Sequence, residues 1–219
     1  SGERIGELEE SLAALASQYQ TGATKLTRQR QRAAKKLVTQ ATTVLKTLAM
    51  EQCEFEIALL PRASTDPHPQ GREDVEFLIS TNPGAPTQPL GKIASGGDLS
   101  RISLAIQVVT ANVDTVPSMV FDEVDVGIGG AVAEVVGKLL RDLAGKAQVL
   151  CVTHLPQVAA QGHQHLQVSK TASKSNVSTS LRLLDTEQTV QEVARMLGGV
   201  KITDQSLAHA REMVESAGA

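Results

Sequence analysis

Ile5, Leu8, Leu12, Leu15 and Tyr19 follow one another at alternating steps of three and four, and Leu26 and Ala33 continue the series at sevens. This rhythm sets the apolar residues on one seam of a helix, and such a seam is stable in water only when another helix covers it. Past Ala33 the phase moves, because Leu37, Ala41, Val44 and Leu48 rejoin the series only with four residues inserted, the pattern of a stutter that relaxes a supercoil. A helix from about Ile5 to Met50 would be roughly 70 Å long, far more than a compact domain of this size spans. The chain is therefore expected to carry a projecting arm. No second heptad series follows, so the partner helix is expected elsewhere, upstream in a longer protein or in another subunit.

The rest of the sequence reads as an α/β domain. Cys53 to Leu60 and Val75 to Ser80 have strand character and are separated by a polar, proline-containing loop, which predicts a hairpin. Three prolines between Asn82 and Pro89 argue against regular structure there. Apolar positions between Leu99 and Val109 cover most of a helical surface, predicting a buried helix. An apolar run (Val116 to Phe121), a helical stretch (Val132 to Leu143) and a second apolar run (Val149 to Val152) predict a βαβ unit with a mostly parallel sheet flanked by helices. Pro156 suits the first turn of a short helix that Gly162 closes, and two edge strands follow, His165 to Lys170 and Ser178 to Leu184. Of the closing pair of helices, the first starts at a capping box, Asp185 with Gln188. It has a stripe of Val190, Val193, Ala194 and Leu197 and ends at Gly198 and Gly199.

Three short strings carry chemistry. Asp122 and Glu123 end an apolar strand, at the sheet edge where open α/β folds bind ligands. In nucleotide hydrolases this position supplies an Asp for Mg²⁺, usually through water, and a Glu that polarises the attacking water. Acid pairs at strand ends also occur without a ligand, so the pair alone leaves both readings open. Ser95, Gly96, Gly97 and Asp98 precede the predicted buried helix, whose free N–H groups and dipole suit an anion; a plain capping turn is the alternative for a bare Ser-Gly-Gly. His154 ends the second parallel strand, on the same edge as Asp122 and Glu123, where an imidazole can bond a γ-phosphate or the attacking water. Asp125 follows Glu123 by two residues, and Gly127, Gly129 and Gly130 make a flexible turn without the spacing of a dinucleotide fingerprint.

Composition removes several classes. Aromatic residues make up 2% of the 219 residues and Trp is absent, which leaves almost nothing for base stacking. Cys53 and Cys151 match neither a metal site nor a disulfide framework and read as small buried apolar residues. No apolar run reaches the ~20 residues of a membrane span, and the expectation is a cytoplasmic, nucleoid-associated protein with no membrane partner. His163 and His165 share a strand face without a third metal ligand and read as structural. Residues 11–50 hold seven basic side chains and no acidic one, so they carry +7 and the remainder −10 within a net charge of −3. The stripe Lys25, Arg28, Arg30, Arg32, Lys35 and Lys36 fits either a DNA-facing surface or, the commoner use of such runs, a solvated coiled-coil face paired with an acidic helix from elsewhere.

The strings SGGDLSR, VFDEVD and VTHLPQVAA, in this order, resemble the SMC and ABC ATPase superfamily. FLISTNPG, IASGGDLSRISLAIQVV, FDEVDVGIGG and CVTHLPQVAAQGHQH are similar to an SMC-like bacterial branch of it that acts in recombinational repair of DNA double-strand breaks. The similarity runs from about Phe77 to Gly199 and more loosely along the arm. It implies ATP and Mg²⁺ as cofactors, with Asp122 as the Walker B residue holding Mg²⁺, Glu123 and His154 as catalytic residues and Asp125 in the D-loop. Ser95, Gly96, Gly97 and Asp98 would form the signature, serving an ATP bound on a second head, and that signature is expected in a helical lobe apart from the strand ends. Ala94 stands where many signatures have Leu. None of Gly91, Gly137 and Gly145, each followed by Lys, has the spacing of a P-loop. The resemblance therefore implies a partner, the N-terminal half of the same protein with its P-loop and outgoing helix, beside a second head in an ATP-dependent homodimer and DNA. Residues 1–52 are read as the arm and 53–219 as the C-terminal half of the head, inactive by itself. A cycling ATPase and a cohesin-like structural tether, in which hydrolysis is incidental, both fit this organisation.

Overall fold

The structure, a computed structural model, describes residues 2–93, 95–111, 116–172, 177–198 and 201–218. Ala94 and Gly199 lie outside them. The chain divides into two compact units, Ser1–Lys46 with Gln52–Ile93, and Thr47–Glu51 with Ala94–Ala219.

In the first unit, helix α1 (Gly2–Thr47) accompanies the antiparallel strands β1 (Glu54–Pro61) and β2 (Glu73–Ser80). The hairpin register runs from Glu54 opposite Ser80 to Pro61 opposite Glu73. Phe55 and Phe77 meet edge to face, with centroids 5.8 Å apart. The proline-rich segment is less irregular than expected: Gln88–Pro89 form a two-residue strand, β3, on the outer edge of β2, where a proline removes no ladder bond that the sheet needs.

The arm's seam changes partner along its length. Ile5, Leu8, Leu12 and Leu15 are between 59% and 69% exposed, an open stripe. At Tyr19 and Leu26 the chain's own hairpin takes the seam, a correction to the expectation that a partner helix covers it there, and Ala33 is exposed. The Tyr19 hydroxyl accepts from the His68 backbone N–H (3.2 Å), and Thr27 donates to the Glu73 carboxylate, which also faces Arg30 at 3.6 Å. Gly71, at φ +82°, lets the loop lie on Leu26; a Cβ there would stand 2.9 Å from the leucine Cδ2.

In the second unit, helix α2 (Gly96–Thr110) leads to β4 (Ser118–Phe121), α3 (Gly130–Ala144) and β5 (Gln148–Cys151). β4 and β5 pair in parallel, Phe121 opposite Cys151, with α3 as their crossover, as the apolar runs predict. After the short α4 (Pro156–Ala159), β6 (His165–Ala172) and β7 (Val177–Leu184) form an antiparallel hairpin. Among the described residues the parallel geometry is confined to β4–β5, the other two sheets being antiparallel. Neither parallel strand is buried on both faces, since Val120, Leu150 and Val152 are exposed. The same holds for α2, which buries Ile102, Leu104 and Ala105 but leaves Leu99 outside.

The closing helices α5 (Thr186–Gly198) and α6 (Asp204–Gly218) follow the sequence reading closely. Asp185 Oδ1 accepts from the Gln188 N–H (2.8 Å) and Gln188 Oε1 accepts from the Asp185 N–H (3.2 Å), a reciprocal capping box. Val190, Val193 and Ala194 pack with Ala160 and Ala210 into one buried cluster, against which Leu197 rests.

Candidate nucleotide site

β4 ends on the buried Phe121 and releases Asp122 and Glu123 into an exposed turn. Asp122 Oδ1 accepts from the Glu123 N–H at 2.9 Å, and the Glu123 carbonyl accepts from the Val126 N–H at 3.1 Å. Glu123 has φ +59°, in the left-handed region that costs a non-glycine residue about 1–2 kcal/mol. This backbone reversal turns the Glu123 side chain outward while Val124 and Asp125 point inward, both at 2% exposure or less.

The first turns of α2 lie directly on this turn. Ser95 caps the helix, its Oγ accepting from the Asp98 N–H at 3.2 Å. Ser100 donates to the Asp122 carbonyl at 2.6 Å. The buried Arg101 donates to the Val126 carbonyl and to the Asp98 carboxylate, both at 2.7 Å. Gly97 is buried; a Cβ on it would stand 3.3 Å from the Val126 oxygen and 3.4 Å from the Glu123 oxygen. On Gly96 a Cβ would come within 1.9 Å of Glu123 Oε2, so the carboxylate lies where any other residue would place its side chain. The expectation that this helix start stands in a lobe apart from the strand ends is corrected. A helix followed by a strand returning beside it brings the start of the one to the end of the other.

β5 delivers the third element. The Val152 N–H donates to the Phe121 carbonyl at 2.9 Å, which carries the pairing one step past the strand ends. The buried Asp125 carboxylate then accepts from the Thr153 hydroxyl and from the His154 backbone N–H (3.1 Å), and stands 3.3 Å from His154 Nδ1. The imidazole remains 69% exposed, aimed by Asp125 and open to a ligand. Asp122, Glu123, Asp125 and His154 thus converge on one sheet edge, with Ser95 to Asp98 beside them. The holding roles of Ser100, Arg101 and Thr153 escape sequence reasoning, although each sits within or next to one of its strings.

No family model matches the chain. It is 48% identical over 211 residues to the DNA repair protein RecN of Xylella fastidiosa (strain 9a5c), an alignment covering 96% of this chain and 38% of that protein. The RecN of Vibrio cholerae is 49% identical over 216 residues, covering 95% and 39%. That of Halalkalibacterium halodurans is 40% identical over 217 residues, covering 98% and 38%. The chain is RecN-like over nearly its whole length. It spans little more than a third of the length of these RecN relatives. Its fold is that of an SMC head: the crystal structure of an Smc head domain with a coiled coil and joint from Pyrococcus yayanosii superposes with a TM-score of 0.52 at 16% identity, over 74% of this chain and 29% of that one.

Two properties of this edge bear on its chemistry. Among the described residues no group of three or more His, Cys, Asp or Glu is arranged to hold a metal by itself. Burial pushes the Cys151 thiol up to about 12, with smaller contributions from Asp125 and Asp122, so beneath the edge it remains an uncharged packing group. No helix among the described residues is long and apolar enough to cross a membrane.

Proposed function

We propose that this RecN-family segment is the C-terminal part of an SMC-like ATPase head that works in DNA repair, hydrolysing ATP once joined to the N-terminal half of the same protein. Residues 1–52 are its arm and 53–219 its half of the head. The observation that carries the reading is the convergence at the ends of β4 and β5: an exposed carboxylate pair on a strained turn, a His aimed from the neighbouring strand, and a glycine-rich helix start against both. Strain of this kind persists where function requires the conformation.

The residues fit ATP and Mg²⁺. Mg²⁺ is ordinarily held by one or two carboxylates together with substrate phosphates and waters, and the exposed Asp122 would supply such a carboxylate. When bound, the nucleotide supplies the phosphoanhydride and the metal compensates its charge. Glu123 accepts a proton from the attacking water at its carboxylate, and His154, fixed through Nδ1, presents Nε2 to a phosphate oxygen. Ser95, Gly96, Gly97 and Asp98 serve the nucleotide of a second head, in a homodimer closed by ATP. The exposed Val120, Leu150 and Val152 support a further layer supplied by the N-terminal half, which would also bring the P-loop.

Glu123→Gln in the complete protein tests the reading. ATP binding should persist while turnover falls by about 10² or more, since an amide keeps the shape but takes no proton. Wild-type turnover in this variant would remove Glu123 from the mechanism, and turnover by the purified chain alone would refute the half-site. Mixing a Ser95→Arg variant with a P-loop variant should restore part of the activity, because one site of the mixed dimer then lacks both defects.

A further inference from the structure

Helix α1 is cationic on one side only. At about 100° per residue, Lys25, Arg28, Arg32, Lys35 and Lys36 fall within an arc of about 100° and about 16 Å along the axis. All five are exposed, and none makes an ion pair among the described residues. The opposite side of the same turns is occupied: Ala23 is buried, Leu26 lies against Gly71, and Thr27 and Arg30 engage Glu73. Projected down the axis, Ile5, Leu8, Leu12 and Leu15 share the hairpin's side, so a partner helix continuing the open seam also lies away from the five cations. A partner helix on that seam therefore does not reach them, and the Glu73 carboxylate on the hairpin's side is already engaged with Thr27 and Arg30.

We propose that this face of α1 is a docking surface for the phosphate backbone of duplex DNA. The inference rests on the DNA-repair reading above for its choice of polyanion, but not on ATP hydrolysis. A row of cations spaced at three and four residues on a rigid rod neutralises several phosphates at once and carries no base-reading groups, so the contact is sequence-independent and salt-sensitive. With 2% aromatic residues in the chain, stacking on unpaired bases plays no part.

The test uses the complete protein with Lys25→Gln, Arg28→Gln and Arg32→Gln combined, glutamine keeping helix propensity while removing charge. The probe is a fluorescein-labelled linear duplex, titrated across a KCl series by anisotropy. The slope of log K against log salt should fall by about 2 to 3, at about 0.9 for each lost phosphate contact, and affinity near 0.1 M salt should drop about 10-fold or more. ATP turnover without DNA should stay at the wild-type level, which separates this result from failure of the ATPase reading. Unchanged affinity and slope would overturn the proposal. So would loss of arm pairing, read by cross-linking along the coiled coil, with DNA affinity intact, since the face would then belong to a helix.

Discussion

The α5–α6 pair and the β4–β5 pair belong to the same compact unit yet treat their apolar residues in opposite ways. In the helical pair, Val190, Val193, Ala194 and Ala210 are almost fully buried against one another and against Ala160. In the strand pair, Val120 is 71% exposed, and Leu150 and Val152 are open as well. Both are regular hydrogen-bonded elements, so the difference lies in tertiary packing. A helical hairpin covers its stripes with itself, whereas two parallel strands present faces that only additional layers can close. The region bearing the proposed chemistry is thus the one whose apolar faces stand open.

The largest effect expected from this contrast is at Val193. Val193→Asp places a carboxylate without a partner in a closed cluster and should lower the unfolding free energy by about 3–5 kcal/mol in urea denaturation. Val120→Asp should cost this chain less than about 1 kcal/mol, because the position is already in water. In the complete protein the same Val120→Asp change should become as damaging as that at Val193, or block joining of the two halves. A small cost at Val120 in both settings would mean that no further layer covers β4.

Smaller effects separate the joints within the unit. Asp125→Ala removes the acceptor for the Thr153 hydroxyl and the His154 N–H and releases the ring, which should cost about 2–3 kcal/mol. Imidazole resonances in NMR should then show His154 mobile. Asp185→Ala opens one capping box on the surface of the closed region and should cost about 1 kcal/mol, with no change in nucleotide binding. A ranking with Asp185 above Asp125 would contradict the view that the strand ends are held by buried polar bonds.

What was legible in the sequence follows the range of the forces involved. The capping box of Asp185 and Gln188, the βαβ order and the stripe of α5 are set by neighbours within a few residues, and all appear as read. Placing Asp122, Glu123 and His154 on one edge needed only that parallel strands end together. The seam of α1 misled beyond Tyr19, because a heptad pattern states that an apolar stripe must be covered and not by what; here a hairpin loop over 40 residues away covers it. The contact of Gly96 and Gly97 with the Glu123 turn was missed for a related reason. Glycine at a helix start reads as room for a ligand, and the same room admits the chain's own carboxylate.

That contact sets the smallest expected change, one of opposite sign. Glu123 occupies φ +59°, where a side chain costs energy and glycine does not. Neither the Asp122–Glu123 bond nor the Glu123–Val126 bond uses the Glu123 side chain, so both survive its removal. Part of the relief is offset by the greater freedom of glycine in the unfolded chain. Glu123→Gly should therefore leave stability unchanged or raise it by up to about 1 kcal/mol, while Glu123→Ala, which keeps a Cβ in the left-handed region, should show no such gain. In the complete protein both changes should abolish turnover alike. Denaturation curves of the two variants, set beside their ATPase rates, distinguish a residue retained for chemistry at the expense of stability from one that belongs to the fold. A clear loss of stability in Glu123→Gly would show that the carboxylate lying against Gly96 holds the turn together and would assign Glu123 a structural part.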